Sequence, residues 1–233
     1  MLTCVACFWC LLSLALLAAC SLGLVSPAWL ARTAASAASG GGSGGVAGVG
    51  GAGMVSLGLF GYCGGGPTPG SVPLGGPAGG GGSGPGQVAT HACSTYGGRG
   101  RFGDIPSAAW QVSVVLCGGG CSLLAVSSLL AVLCLVLPEG EGERRACTLA
   151  GCAQSAAVII MGAGLLVFPL GLGCPFARQQ CGDSAPFWAG DCQLAWGYTL
   201  AIVGVLLAAF LPYFARYVPR DPSPYPTPIP TSL

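Results

Sequence analysis

Four long apolar runs, separated by polar stretches, dominate the hydrophobic pattern of the 233-residue sequence. None of the four contains Asp, Glu, Lys, Arg or His, and each is at least as long as the roughly 20 apolar residues that a helix needs to cross a hydrocarbon core. A helix satisfies its own backbone hydrogen bonds in lipid, so the runs predict membrane-spanning helices. The predicted helices are residues 1–25, 109–137, 146–173 and 194–215.

A compact charged segment separates the second and third predicted helices. Residues 138–145 (PEGEGERR) hold three glutamates and two arginines beside two glycines and a proline. Because two membrane crossings joined by so few residues must return side by side, this pattern predicts a tight antiparallel helical hairpin.

A long polar segment, residues 26–108, separates the first and second predicted helices. It contains two tracts rich in glycine and serine, Gly40–Gly53 and Gly75–Gly86, which cannot bury enough apolar area to offset the entropy lost on ordering them. We therefore expect both tracts to be mobile. Between them, Met54–Cys63 has the apolar and aromatic content of a short strand.

Two shorter polar segments complete the pattern. Residues 174–193 predict a short loop, which contains Cys174, Cys181 and Cys192. Residues 216–233 predict a tail in which every second position from 222 to 230 is proline. Such a tail favours extended polyproline II structure and cannot pack as a helix.

The first apolar run has an alternative interpretation as a cleaved signal peptide. A signal peptide carries positive charge before an apolar stretch of about 7–15 residues. Here no charged residue precedes the run, and the apolar stretch is longer. The pattern therefore favours a helix that is retained in the membrane.

Composition narrows the function classes. Only 6% of the residues are charged and the net charge is +1, so the chain offers no basic surface for nucleic acid. The predicted helices lack the carboxylates, histidines and metal clusters that intramembrane catalysis or proton transfer needs. We therefore expect no enzymatic activity and no cofactor.

Gln154 and Ser155 are the notable polar pair of the third helix and predict an inter-helix hydrogen bond, with a polar pathway as the alternative.

The positions of the arginines indicate the orientation in the membrane. They divide evenly between the two faces, but short loops next to a membrane span count most in the positive-inside rule. Arg144 and Arg145 in the charged segment and Arg216 and Arg220 in the tail therefore favour a cytoplasmic location for both. We expect a multi-pass plasma-membrane protein with both termini in the cytoplasm, and residues 26–108 and 174–193 outside.

Several residues of the long outer segment form a family signature. A tryptophan closes the first helix, and a Gly-Leu-aromatic-x-x-Cys pattern and a second cysteine follow, as in claudin-type tetraspans. These residues are Trp29, Gly58, Leu59, Phe60, Cys63 and Cys93.

Further stretches narrow the resemblance. They are Phe102–Trp110, Phe168–Gly171, Cys181–Gly182 and Gly190–Tyr198, which include Trp110 and Trp196. Together they resemble the LHFP-like (lipoma-fusion-partner-like) tetraspan family within the claudin-like superfamily. The resemblance implies an all-α membrane protein, a left-handed four-transmembrane-helix bundle with a small extracellular β-sheet. It also implies a non-enzymatic accessory subunit of ion channels or receptors, often dimeric.

Five cysteines lie outside the predicted helices and could form disulfides with one another. The pairs Cys63–Cys93 and Cys181–Cys192 each close a loop within one outer segment, and these are the pairings we predict. The extra cysteine, Cys174, is either free or competes for Cys181.

Two functions are consistent with the sequence. The first is an accessory subunit that lies in the lipid bilayer and binds another membrane protein, a channel or receptor. The alternative is a claudin-like adhesion or barrier protein whose outer loops meet across cells. The last three residues, Thr231, Ser232 and Leu233, fit the C-terminal pattern that PDZ domains bind by strand addition.

Overall fold

The computed structural model describes residues 4–32, 55–64, 92–98, 100–136 and 141–217. Four of its helical segments are long and apolar enough to cross a membrane, and a small antiparallel sheet lies at one end of them. The predicted fold, a four-helix membrane bundle with a small β-sheet, is therefore confirmed. The long helical segments are Cys4–Val25, Ala108–Val136, Gly142–Gly173 and Trp196–Ala215.

The first two crossings are regular helices, α1 (Cys4–Val25) and α2 (Ala108–Val136). The third begins earlier than the hydrophobic pattern predicts, because α3 (Glu141–Val167) includes five residues of the charged segment. Glu143 in the first turn carries a negative charge, which interacts favourably with the helix dipole, so the helix extends beyond the apolar stretch. Residues 138–140 of the predicted connection, and residue 137 of the second predicted helix, lie outside the described residues.

Proline explains where the α-helix of the third crossing ends. The apolar run continues to residue 173, but α3 ends at Val167 and a 3₁₀ helix, Phe168–Gly173, completes the crossing. Pro169 has no backbone N–H to donate. In a continuous α-helix its ring would also clash with the carbonyl of Leu165.

The fourth crossing is broken in the same way. It consists of α5 (Trp196–Ala208) and α6 (Leu211–Tyr217). Pro212 excludes a regular helical turn onto the carbonyl of Ala208, which is where α5 ends. The sequence predicted a fourth span over residues 194–215, and a candidate span lies at Trp196–Ala215. Its internal break was not predicted, because a proline inside an apolar run does not alter the hydropathy signal.

Among the residues that the structure describes, the sheet has five strands in the spatial order β4-β3-β2-β1-β5, all antiparallel. Its central strands come from the segment between α1 and α2, and its edge strand β5 directly precedes α5. The strands are β1 (Leu30–Arg32), β2 (Val55–Leu57), β3 (Gly61–Gly64), β4 (Ala92–Thr95) and β5 (Gln193–Leu194).

The segment predicted as one strand, Met54–Cys63, is a hairpin in its described part. Leu57 pairs with Tyr62, and the Gly58 N–H donates to the carbonyl of Gly61 at 2.8 Å. A turn between two glycines therefore divides the apolar stretch into β2 and β3. Both glycine-rich tracts and residues 218–233 of the tail lie outside the described residues.

The predicted helical hairpin is present. α2 and α3 form the most extensive contact between any two elements, and they run antiparallel. The Ser113 hydroxyl donates to the Gly164 carbonyl at 2.8 Å near one end, and the Cys134 thiol lies 3.9 Å from the Glu143 carbonyl near the other. α1 packs against α2 and α5.

One buried polar network joins α1 to α3. The Trp9 Nε1–H donates to Gln154 Oε1 at 3.3 Å, and Gln154 Nε2 donates to the Ser13 hydroxyl at 3.1 Å. The Ser13 hydroxyl in turn donates to the Trp9 carbonyl at 2.8 Å. All three side chains are buried. The inter-helix hydrogen bond predicted for Gln154 is confirmed, whereas Ser155 bonds within its own helix.

Candidate functional site at the sheet-bearing end

An aromatic layer joins the sheet to the bundle. Trp29, just before β1, packs edge-on against Phe168 with ring centroids 4.8 Å apart and lies 5.3 Å from Tyr198. Phe168 in turn stacks on Trp110 at 5.6 Å. The Trp29 Nε1–H donates to the Gly23 carbonyl at 2.8 Å. Four separate segments of the chain therefore meet in one rigid layer beneath the sheet.

The turn between β2 and β3 is fixed by close packing. A Cβ atom on Gly58 would lie 2.7 Å from the Pro27 Cα and 2.7 Å from the Ser26 carbonyl oxygen, so only glycine fits here. The next residue, Leu59, is fully buried, whereas Phe60 is exposed. The Gly-Leu-aromatic pattern thus has a physical basis in its first two positions, and its third position faces outward.

Tyr96 connects the sheet to this turn. Its hydroxyl donates to the Gly58 carbonyl at 2.8 Å, and its ring lies 5.5 Å from Phe176. Burial raises the pKa of the Tyr96 hydroxyl above its usual range, with smaller contributions from Cys174 and Tyr62. The hydroxyl therefore stays protonated and keeps donating throughout the neutral range.

The four cysteines of the predicted pairs lie at disulfide distance. Cys63 faces Cys93 across β3 and β4 with Cα atoms 4.0 Å apart. Cys181 meets Cys192 with Cα atoms 5.1 Å apart, which joins the end of a short helix to the residue before β5. Cys174 is not paired in the described structure. The geometry supports both predicted pairings.

The loop predicted over residues 174–193 contains a seven-residue helix, α4 (Pro175–Cys181). Pro175 stands at its first position, where a missing N–H costs nothing. The Cys174 sulfur accepts the Ala177 N–H at 3.4 Å as an N-cap. The extra cysteine is therefore a helix cap in this structure, a role that the sequence analysis did not consider.

An ion pair missed by the sequence analysis links β1 to this segment. Arg32 donates to the Asp191 carboxylate at 3.1 Å and to the Gln180 carbonyl at 3.0 Å. The two charged side chains are 30% and 49% exposed, so the pair contributes about 0.2–1 kcal/mol. Its main effect is to orient the segment between the two cysteines against the sheet.

The most exposed aromatic side chains of this end stand on a tight turn. Ala185 and Trp188 exchange backbone hydrogen bonds at 2.9 and 2.8 Å, with Pro186 and Phe187 between them. Phe187 has a φ of 63°, a left-handed conformation that bulky residues rarely adopt. The side chains of Phe187 and Trp188 are 64% and 66% exposed. We call Pro186–Trp188 the aromatic tip. Pro186 is the one sequence feature that indicates this turn, because proline is favoured at the first central position of a turn.

The aromatic tip has exposed apolar neighbours in sequence. Leu194 of β5 and Trp196 at the start of α5 are both exposed, and β5 is an edge of the sheet. Among the glycine, leucine and aromatic residues of the predicted signature, Phe60 and Trp196 face outward. The others are buried, and they are Trp29, Gly58, Leu59 and Trp110. The signature therefore marks both the core of the sheet-bearing end and its surface.

A metal site requires several ligating side chains placed close together. In the ranges that the structure describes, no group of three or more His, Cys, Asp or Glu side chains is placed to hold a metal ion. The candidate PDZ ligand Thr231, Ser232 and Leu233 lies outside these ranges. The described part of this end is a small sheet held by two disulfides, and its exposed aromatic surface suits the binding of another protein.

Comparison with known proteins agrees with this architecture. The family model for lipoma HMGIC fusion partner-like protein matches residues 5–218, which cover the four candidate membrane spans except Cys4. The chain belongs to this family. It is a multi-pass, tetraspan membrane protein of the lipoma HMGIC fusion partner-like family, as the sequence motifs indicated.

Individual relatives carry the LHFPL tetraspan name. LHFPL tetraspan subfamily member 7 protein of Xenopus tropicalis is 45% identical over 114 residues, which are 49% of this chain and 60% of that protein. Member 2 of Homo sapiens is 29% identical over 115 residues, 49% of this chain and 50% of its own length. Member 5 of Gallus gallus is 27% identical over 115 residues, with the same shares. The matched chain thus spans between half and three fifths of these curated relatives.

Proposed function

We propose that this lipoma HMGIC fusion partner-like protein is a non-enzymatic accessory subunit that binds and organises another membrane protein, an ion channel or receptor. The aromatic tip is the single observation that carries the proposal. Two large aromatic side chains are held in solvent by a strained turn, on a platform that disulfides and an aromatic layer make rigid. Strained backbone persists only where the surroundings hold it, and it concentrates at functional sites.

The chemistry of the tip suits a protein partner. Tryptophan and other aromatic residues contribute most of the binding energy in many interfaces, because a rigid ring buries a large area at little entropic cost. The adjacent strand β5 exposes Leu194 and is an edge of the sheet among the described strands. A partner domain above the membrane is therefore the occupant we propose for this surface.

A second surface on α2 supports binding within the membrane. Its exposed positions recur at alternating intervals of three and four residues, and a Cβ on Gly118 or Gly119 would meet nothing within 4 Å. Small residues let a partner helix approach closely in lipid. Seven exposed positions form this series, and they are Val112, Val115, Gly119, Ser122, Val126, Leu129 and Leu133. A partner helix, or a second copy of this chain in a homodimer, would lie here.

The orientation we propose puts the sheet-bearing end outside the cell and both termini in the cytoplasm of a plasma-membrane protein. Disulfides persist in the oxidising exterior, which supports this choice. Arg144 and Arg145 lie at the opposite end of the bundle, as the positive-inside rule requires. An epitope inserted at residues 138–145 should be protected in intact cells and accessible after permeabilisation. Staining of intact cells would contradict the orientation.

The tail adds a candidate adaptor site. We propose that Thr231, Ser232 and Leu233 bind a PDZ domain, because a free terminal carboxylate after this pattern adds as a strand to such domains. One residue appended to Leu233 removes the terminal carboxylate from its position and should abolish binding. Binding that survives the extension would contradict the proposal.

The accessory role is tested by labelling neighbours from the sheet-bearing end and identifying them by mass spectrometry. The double variant Phe187→Ala, Trp188→Ala should lose the labelled channel or receptor, while Phe102→Ala, an exposed aromatic at the same end, should retain it. The loss of two aromatic anchors predicts about a ten-fold or larger fall in capture. Unchanged capture by the double variant would contradict the proposal.

Localisation at cell contacts and co-purification from detergent distinguish the claudin-like alternative. An adhesion or barrier protein should be enriched at contacts only where both cells express it, and its neighbours should include copies on the opposite cell. An accessory subunit should co-purify with its channel or receptor from detergent extracts of single cells.

A further inference from the structure

The segment that carries the aromatic tip runs alongside the outer end of the third crossing. The Ser184 hydroxyl donates to the Leu172 carbonyl at 2.8 Å. Three residues later, the Phe187 N–H donates to the Pro169 carbonyl at 3.1 Å. As the segment advances by three residues, its contact on the 3₁₀ helix moves back by three, towards the middle of the membrane. The tip therefore lies beside the last turns of a membrane-spanning segment and not above them.

The length of the third crossing gives the height of this contact. Arg145 is the last charged residue before the apolar run, and Val167 follows 22 positions later, about 33 Å along a helix. The hydrocarbon core of a bilayer is about 30 Å thick, and each headgroup layer adds roughly 5–8 Å. Pro169 is two residues beyond Val167, about 4 Å further at the rise of a 3₁₀ helix. The Pro169 carbonyl, and the Phe187 N–H bonded to it, are therefore at the height of the headgroup layer.

The fourth crossing gives the same height by a separate count. Trp196 stands 20 positions before Arg216, the first charged residue beyond the apolar run, which is about 30 Å along a helix. Trp196 and Leu194 are both exposed. Tryptophan is enriched in the headgroup layer, where its amphipathic ring is favoured. Both crossings therefore place the outer boundary of the hydrocarbon core next to the tip.

The composition of the segment fits this height. Residues 184–190 (SAPFWAG) carry no charge, and the charged residues Asp183 and Asp191 flank them on either side. The large side chains of this uncharged stretch are Phe187 and Trp188, and both are exposed. An aromatic ring, and an indole with one N–H donor above all, suits a layer that is apolar below and wet above.

We propose that, in the protein without a partner, the rings of Phe187 and Trp188 lie among the phospholipid headgroups at the sheet-bearing end. The solvent around the exposed tip is then the bilayer interface and not bulk water. Phospholipid is the occupant, because the tip continues the lipid-facing surface of the third and fourth crossings. A partner that binds the tip replaces headgroups there. The inference does not depend on the accessory function, since it is argued from the height of the tip alone.

The test measures which quencher reaches Trp188. The full chain is reconstituted without a partner in phosphatidylcholine vesicles, and the tryptophan emission that Trp188→Phe removes is the contribution of Trp188. Phosphatidylcholine with a spin label on its headgroup should quench most of this contribution. The same lipid labelled at the end of an acyl chain should quench little of it, and so should acrylamide, which stays in the water.

The control places an indole in water at the same end of the protein. Phe102 is exposed next to Arg101 and close to Asp104, which are exposed as well. The emission that Phe102→Trp adds to the Trp188→Phe variant should be quenched strongly by acrylamide and little by either labelled lipid. Both substitutions keep an aromatic ring, and a monodisperse elution profile shows that each variant folds.

Two outcomes would overturn the proposal. Acrylamide quenching of Trp188 as strong as that of the control indole would place the tip in bulk water. Strongest quenching by the acyl-chain label would place it in the hydrocarbon core. Neither outcome touches the accessory function, because the vesicles contain no partner, whereas unchanged capture by the double variant Phe187→Ala, Trp188→Ala would contradict the accessory function alone.

Discussion

Gln154 lies at the centre of the bundle, where its amide bonds the side chains of two α1 residues, Trp9 and Ser13. In lipid there is no hydrophobic force to hold one helix against another, so packing and inter-helix hydrogen bonds decide the arrangement. A single buried amide that serves as both donor and acceptor therefore fixes the rotation of α1 relative to α3.

We predict that Gln154→Leu destabilises the protein, because it leaves the indole N–H of Trp9 without its partner. Such bonds within membranes contribute about 0.5–2 kcal/mol to the free energy of unfolding. The matched control is Ser155→Ala, since the Ser155 hydroxyl bonds only the Gly151 carbonyl of its own helix. Thermal unfolding in detergent should show a lower midpoint for Gln154→Leu alone. Equal midpoints would show that the network contributes nothing.

Phe187 permits a second prediction at the residue scale. Phe187→Ala and Phe187→Gly both remove the ring, but alanine keeps a Cβ in the left-handed conformation at φ 63°. The glycine variant should be the more stable by about 0.5–1 kcal/mol, the left-handed penalty less the extra entropy of glycine. Chemical denaturation of the two variants in detergent measures the difference. A more stable alanine variant would show that the turn is not strained.

At the scale of elements, hydropathy predicted the existence of every crossing but not how two of them end. The apolar character of a run is insensitive to Pro169 and Pro212, which act on the backbone through one missing N–H and one steric clash each. α4 escaped prediction for a different reason. It is seven residues long and capped by a thiol, so it has neither the length nor the Ser, Thr, Asp or Asn that marks a helix start.

The sheet could be predicted only in part. The strand character of Met54–Cys63 was visible, but its division into two strands depends on Gly58 fitting against Pro27 and Ser26, far away in sequence. Likewise the tryptophans of the signature were recognisable, yet their meeting in one aromatic layer is a property of the folded chain. The aromatic tip went unnoticed because Phe187 occupies a turn position where glycine is the usual signal.

The contact between α2 and α3 depends on one close approach. A Cβ on Gly164 would lie 2.7 Å from the Cys117 sulfur and 3.0 Å from the Leu116 Cβ, whereas a Cβ on Gly162 would meet nothing within 4 Å. We predict that Gly164→Ala lowers the free energy of unfolding by about 1–3 kcal/mol through overpacking. Gly162→Ala should be neutral or slightly stabilising, because alanine favours a helix more than glycine does.

Thermal unfolding of the two variants in the same detergent checks this prediction. The pair is matched, since both replace glycine by alanine on the same helix within two residues. A similar midpoint for both would mean that the hairpin of α2 and α3 relaxes at no cost and that the close approach is unimportant.

For the whole molecule, the sheet-bearing end and the bundle form one continuous structure. Trp29 contacts Phe168 and Tyr198 below the sheet, and its backbone N–H donates to the Leu57 carbonyl of β2 at 2.9 Å. The aromatic tip is joined to the same layer, because the Phe187 N–H donates to the Pro169 carbonyl at 3.1 Å. A partner that binds the tip therefore contacts a surface that is mechanically coupled to the ends of the membrane helices.

The disulfides determine whether this end keeps its shape, and they provide the last prediction. Non-reducing peptide mapping of the protein from membranes should recover the links Cys63–Cys93 and Cys181–Cys192, with Cys174 alkylated without reductant. Removing the first link as Cys63→Ser, Cys93→Ser frees the closed loop of 30 residues and should cost about 3–4 kcal/mol of stability. Cys174→Ser is the control, because a serine hydroxyl still caps α4. A recovered link between Cys174 and Cys181 would instead leave Cys192 free, detach β5 from α4 and contradict the geometry on which the binding surface depends.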